Sequence, residues 1–196
     1  MRSLSYFVAM TVDGFIADDA GGFDFFPMEG DHIAAQASDL PETLPAHVRA
    51  ALGLGDRAAR FDTVLMGRRT YEPALAAGIE DPYAPLQTFV FSRTLEARTT
   101  GRLRICRDDP REIVRQLKGA PGRDLWLCGG GELAGHLADR IDELVVKVNP
   151  LWIGRGTPLR RGEFRVDRLV LESTRTFDSG VVWLTYRART PSRTTP

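Results

Sequence analysis

At 196 residues the chain is about the size of one domain, taking roughly 150 residues per domain as the guide, and 43% hydrophobic with 27% charged residues excludes wholesale disorder. Lys plus Arg and Asp plus Glu both number 26. There is thus no basic surplus for a nucleic-acid backbone or an anionic membrane surface, and no apolar stretch approaches the roughly 18 residues of a membrane span. The apolar run over 4–12 has neither a charged leader nor a small-residue cleavage site, so it reads as a strand and not a signal peptide. Cys106 and Cys128 form no metal-ligand spacing and are expected to be reduced and buried, which suits a cytoplasmic protein.

Alternation and short β-rich runs predict eight strands, at 4–11, 63–66, 88–91, 103–106, 125–128, 143–148, 168–177 and 181–187. After the first strand, residues 21–44 show weak periodicity and contain Pro27 and Pro41, which is long for a plain connection and suggests a lid or substrate loop. Helices follow at 46–52, from within 70–77, at 111–118 and at 132–138. The third has Asp109 to cap it, Pro110 at its first position, Glu112 to complete a capping box and Gly119 to end it, with Ile113, Val114 and Leu117 as its apolar face. In the fourth, Leu133 and Leu137 share a face. Asp178-Ser179-Gly180 is a turn between the last two strands and makes them an antiparallel hairpin. Strands alternating with helices predict an α/β fold, a mostly parallel eight-stranded central sheet with flanking helices and that C-terminal hairpin. Residues 1–190 form the single domain, and 191–196 are polar and proline-bearing, a flexible tail.

Three strand ends carry residues suited to phosphate. Leu125-Trp126-Leu127-Cys128 runs into Gly129-Gly130-Gly131 and then the helix opened by Glu132 and Leu133. Backbone without side chains can approach a bulky anion, and N–H groups at a helix start favour negative charge. A strained turn without a ligand is the alternative there. Val64-Leu65-Met66 passes through Gly67 into Arg68-Arg69-Thr70, where planar, permanently charged forks and a hydroxyl meet a helix start. A solvated basic corner would look the same. Phe89-Val90-Phe91 ends in Ser92-Arg93-Thr94, suited to a 2′-phosphate. Ligands of open α/β sheets collect at such C-terminal strand ends. Gly53-x-Gly55 imitates a dinucleotide fingerprint but follows a helix, so it reads as a helix stop. His32, His47 and His136 share no metal-like spacing and read as surface or packing residues, and no Gly-x-Ser-x-Gly hydrolase elbow is present.

The segments Val8-Ala9-Met10-Thr11-Val12-Asp13-Gly14-Phe15-Ile16-Ala17, Met66-Gly67-Arg68-Arg69-Thr70-Tyr71-Glu72, Phe91-Ser92-Arg93 and Gly129-Gly130-Gly131 follow the order seen in the dihydrofolate reductase-like superfamily, which the chain resembles from about Leu4 to Arg187. Asn149-Pro150-Leu151-Trp152-Ile153-Gly154-Arg155-Gly156-Thr157-Pro158-Leu159 is similar to free-standing relatives of the reductase half of the bifunctional riboflavin-biosynthesis deaminase–reductase, with no zinc motif of the deaminase half. The resemblance implies an NADPH-dependent reductase acting on a C=N or C=O bond of a small pterin- or pyrimidine-like molecule, and a homodimer. It implies that Gly67, Arg68, Arg69 and Thr70 hold phosphate, with Arg68 the foremost choice for the 2′-phosphate and Ser92 and Arg93 flanking it. It places Gly129, Gly130, Gly131, Glu132 and Leu133 along the pyrophosphate, with a cis Gly129–Gly130 bond, and Ala9 and Ile16 against the nicotinamide. Gly154 and Gly156 would lie near the substrate.

A helix carboxylate assists protonation in dihydrofolate reductase itself. Here Asp24, Glu29 and Asp31 occupy the right region without a Trp-x-x-x-x-Asp arrangement to single one out, and Asp31 is preferred because it precedes the helix-like Ile33-Ala34-Ala35-Gln36. Each also reads as a cap or a solvated acid. A genuine dihydrofolate reductase and a non-catalytic NADPH-binding module stay open beside the reductase reading.

Overall fold

In a computed structural model of the chain, which describes residues 1–188, the eight expected strands all form and lie in one sheet. The tail expected over 191–196 lies outside the described residues. In chain order the elements are β1 (Leu4–Thr11), β2 (Phe15–Ala17), α1 (Asp31–Asp39), a 3₁₀ turn (Pro41–Thr43), α2 (Ala46–Ala51), β3 (Phe61–Gly67), α3 (Arg68–Ala76), β4 (Gln87–Phe91), β5 (Arg98–Thr100), β6 (Leu103–Cys106), α4 (Pro110–Gly119), β7 (Asp124–Gly129), α5 (Gly131–His136), β8 (Glu143–Asn149), β9 (Thr157–Pro158), β10 (Leu169–Thr176) and β11 (Val182–Ala188).

The sheet runs β10-β11-β8-β1-β7-β3-β4-β6-β5. Its centre from β8 to β6 is parallel, and β11 and β10 add the expected antiparallel hairpin at one edge. The sheet has nine strands and not eight, because the exposed β5 pairs antiparallel with β6 at the other edge. The period-2 alternation of the strands sorts their side chains into two cores. Phe7, Val64, Met66 and Trp126 face the side carrying Tyr71 of α3, while Leu4, Tyr6, Leu65 and Leu127 face Ile113 and Val114 of α4 and Leu133 of α5.

Helix boundaries follow their local chemistry, with two exceptions in α4. The Asp109 carboxylate accepts the Arg111 amide at 2.9 Å, as a cap should. Glu112 does not complete the capping box. The Arg115 fork at 2.6 and 2.9 Å and Gln116 at 2.9 Å offer its carboxylate charged and multiple bonds in place of one amide, and these hold its carboxyl down at about 2. Helix α4 also runs through Gly119 and is capped by Ala120. After α2, Gly53 and Gly55 take φ of +67° and +58°, the helix stop read from the sequence. Residues 21–44 are not one irregular loop, since they contain α1 and the 3₁₀ turn.

The short β2–β9 pair brings residues 157–161 across α5, where the Arg161 amide donates to Gly131 O at 2.8 Å. Gly131 and Gly135 are four apart on one helical face, and a Cβ on either would collide with this segment, 2.2 Å from Pro158 O and 1.7 Å from Arg161 O. Two glycines of Gly-Gly-Gly-Glu-Leu-Ala-Gly, Gly131 and Gly135, therefore permit backbone packing.

Candidate functional site

The C-terminal ends of the parallel strands open into one cleft of about 810 Å³. Its walls are the ends of β1, β3, β4, β6, β7 and β8, with α1 and the segment before it across the top. Ala9, Ile16, Gly67, Arg68, Arg69, Thr70, Ser92, Arg93, Gly129, Gly130, Gly131, Glu132 and Leu133 all border it. The two glycine-marked openings meet there. A Cβ on Gly67 would stand 3.7 Å from the Gly130 amide nitrogen, and one on Gly129 or Gly130 would stand 3.4 or 3.3 Å from Thr70 Oγ1. Gly129 has φ of +150°, a backbone state L side chains rarely adopt, and the Gly129–Gly130 peptide is cis.

Within this arrangement the charged residues divide. Arg68 Nη1 pairs with Glu72 one helical turn on, at 2.5 Å, and Arg93 approaches Glu132 at 3.7 Å across the cleft mouth. Glu132, an odd neighbour for an anion, thus has a guanidinium partner. Arg69 and Arg107 border the cleft with no carboxylate partner among the described residues. The Ser92 hydroxyl accepts the amides of Thr94 and Leu95 at 3.2 and 2.9 Å, so it shapes the turn that presents Arg93.

The expected acids and substrate glycines lie elsewhere. Asp24, Glu29 and Asp31 are exposed and do not border the cleft. Asp31 instead staples α1 to the distant hairpin turn, accepting the Asp178 and Ser179 amides at 2.7 and 3.2 Å. Desolvation pushes its carboxyl up, but these bonds outweigh that and hold it below the usual range. Gly154 and Gly156 are also outside the cleft. A Cβ on Gly156 would meet Ala17 O at 2.3 Å, so this glycine admits β2, and Gly154, at φ +80°, donates its amide to Asp13 Oδ2 at 2.7 Å. Turn geometry and strand approach account for both.

Several cleft residues carried no local signal as site residues. His32 is buried, bridging Ser179 Oγ at 2.9 Å and Pro27 O at 3.3 Å, a packing residue that also borders the cleft. The Lys147 ammonium donates to Gln36 Oε1 at 2.8 Å and lies 4.6 Å from the centre of the Phe7 ring. Burial pushes Lys147 down to about 8, against a smaller opposing pull from Cys128. Burial pushes the Cys128 thiol up to about 11, and its sulfur lies 3.7 Å from the Tyr83 hydroxyl. Neither cysteine is in a disulfide; Cys106 is buried and Cys128 half-buried.

An open, largely parallel sheet with one cleft across its carboxyl ends, walled by two glycine openings, is the arrangement in which α/β proteins bind their ligands. The chain belongs to the family of the RibD C-terminal domain, whose model matches residues 2–183. It is 27% identical over 185 residues to the uncharacterized protein YwjB of Bacillus subtilis, covering 92% of this chain and 95% of that one. In fold it is similar to a putative riboflavin biosynthesis protein from Shewanella sp. PV-4, at TM-score 0.70 and 22% identity over 97% of this chain and all of that one. It is also similar to dihydrofolate reductase from Enterococcus faecalis, complexed with NADP(H) and RAB-propyl, at TM-score 0.62 and 15% identity over 96% and 97% of the two chains. The fold is reductase-like. No helix among the described residues is long and apolar enough to cross a membrane.

Proposed function

We propose that this protein is an NADPH-dependent reductase that delivers hydride to a C=N or C=O bond of a small pterin- or pyrimidine-like heterocycle. The observation that carries the reading is the meeting of the two glycine openings in one cleft, with Gly67 against the Gly130 amide. That wall presents backbone without side chains, the Thr70 hydroxyl and several guanidiniums, a donor set that fits a doubly phosphorylated dinucleotide. The Enterococcus reductase of the same fold is complexed with NADP(H). Gly67, Thr70, Gly129 and Gly130 would hold the pyrophosphate, Arg68, Arg69 and Arg93 the 2′-phosphate, and Ala9 and Ile16 would bound the nicotinamide. Bound there, the dinucleotide supplies hydride. The chain's own part is to align the two rings and exclude water, with Phe23, Phe26 and Met28 forming an apolar rim. A homodimer, as the resemblance implies, belongs to the same reading, and sedimentation at micromolar protein tests it.

No carboxylate from Asp24, Glu29 or Asp31 reaches the cleft, which favours a heterocycle other than dihydrofolate. NADPH consumption with a panel of pterin, pyrimidine and quinonoid acceptors tests the activity. Turnover of one of them with dihydrofolate inert is the expected result, and inertness of the whole panel would favour a binding module. The cofactor choice has a separate test. Arg68→Ala should weaken NADPH by about 1.5–3 kcal/mol and leave NADH nearly unchanged, since a charged hydrogen bond to the 2′-phosphate is of that size. Equal losses for the two nucleotides in calorimetric titration would remove Arg68 from that role.

A further inference from the structure

We propose that a second copy of this chain packs, about a two-fold axis, on the face of the sheet that β8, β11 and β10 share with the ribbon at 162–168. The inference takes its partner from the homodimer of the reading above and needs neither the cofactor nor the reaction. Tyr6 of β1, Leu144 of β8, Tyr186 of β11 and Leu171 of β10 are successive cross-strand partners, and such partners share a face. Tyr6 packs with Leu133 of α5, so the whole row lies on the side of the sheet that α4 and α5 cover. The cover runs out along the row. Tyr6 is buried, Leu144 and Tyr186 are half-buried, and Leu171 is 52% exposed. Residues 157–161 lie against α5, so the ribbon that leaves Arg161 for β10 starts on the same side, and it adds Val166 and the 96% exposed Phe164.

Every residue from Arg161 to Thr176 is exposed, whereas a strand packed on one face should bury alternate side chains. Phe164, Val166, Leu169 and Leu171 in so short a run exceed the scattered apolar exposure of a monomer surface. Three strands about 4.8 Å apart, with the ribbon beside them, offer an area on the order of the 800 Å² that each partner of a standard interface buries. The chain's own last residues, 189–196, contain only Arg, Thr, Pro and Ser and have no large apolar side chain to lay there. An anionic membrane would call for basic residues alone, but the ribbon carries both signs. Arg160 and Arg165 hold Asp167 within the chain, while Glu163 and Arg168 have no ion-pair partner among the described residues. A two-fold axis turns this mixed row against its own copy, where opposite charges meet, and one partner uses up the face.

The test is sedimentation velocity of the full chain at micromolar concentration, beside Phe164→Asp, Leu171→Lys and Leu52→Lys. Wild type should sediment as a dimer. Phe164→Asp and Leu171→Lys each put an unpaired charge into the contact twice, and should weaken self-association by on the order of 100-fold or more. Leu52, as exposed as Leu171 but beyond α2, should leave the dimer intact when changed. All three side chains are exposed in the single chain, so the substitutions spare its core, and circular dichroism checks the fold. Where a variant does not fold, isotope-filtered NOE spectra of wild type mixed from labelled and unlabelled chains decide, with contacts expected from the Leu169 and Leu171 methyls to the other copy. A monomeric wild type overturns the proposal and the homodimer together. A dimeric wild type whose folded Phe164→Asp and Leu171→Lys stay dimeric, or whose intermolecular contacts all lie elsewhere, overturns the proposed face alone. Both are read without nucleotide, so a failure of the cofactor reading cannot imitate either.

Discussion

Glu42→Ala is expected to lower the unfolding free energy by about 3–5 kcal/mol, and the melting temperature by on the order of 10 °C, because it leaves three amides at the entry to β3, that of the buried Phe61 among them, without their charged acceptor. Glu42 is fully buried, yet its carboxylate pairs with no cation among the described residues. Its Oε1 accepts the Arg60 and Phe61 amides, each at 2.7 Å, and its Oε2 accepts Ala59 at 3.0 Å. A residue of the 3₁₀ turn thus caps the entry to β3 from across the fold, and the same bonds hold Thr43 and Leu44 where they line the cleft. Glu42→Gln keeps one carbonyl oxygen and should lose roughly half as much. Thermal and urea unfolding of the three proteins checks this, and a melting temperature unchanged in Glu42→Ala would mean that water replaces the carboxylate at no cost.

The second large effect is on nucleotide binding. Gly130→Val should weaken NADPH by on the order of 100-fold, about 2.7 kcal/mol, with a much smaller change in stability. Gly130 has φ of −101° and ψ of −168°, extended backbone that valine tolerates, so the substitution acts through space and not through strain. Its Cβ would already stand 3.3 Å from Thr70 Oγ1, and the two methyl groups would fill the gap between the openings. Gly131→Val would not make this test, because its Cβ would collide with Pro158 O and disturb the fold itself. Fluorescence titration of NADPH against wild type and Gly130→Val, with thermal melts of both, separates binding from stability. Undiminished NADPH affinity in a folded Gly130→Val would place the dinucleotide elsewhere.

What the sequence disclosed follows the range of each interaction. Strand ends, helix starts and the two glycine openings are local patterns, and every residue they marked for the nucleotide borders the cleft. Strand β5 was not legible because Arg98, Thr99 and Thr100 are all exposed and polar, a strand only through pairing with β6. The place of Asp31 outside the cleft has a long-range cause that its local sequence does not carry, since the amides that occupy its carboxylate come from the turn at Asp178 and Ser179. Lys147 in Leu144-Val145-Val146-Lys147-Val148 reads as an ordinary polar interruption of an apolar strand. Only the docking of Gln36 on α1 above β8 shows that the ammonium lies in the cleft. Of the two glycines that looked like a close-approach loop, Gly156 is approached by Ala17 of β2, and Gly154 serves the turn with its φ of +80°.

The most direct measurement is an amide ¹⁵N–¹H titration of the labelled protein with NADPH. The nucleotide should shift the amides of Gly67 to Thr70 and of Gly129 to Gly131 together, along one binding curve, while β5 and the β10–β11 hairpin stay unmoved. Binding that leaves both glycine openings unperturbed, or no binding at millimolar nucleotide, would contradict the account.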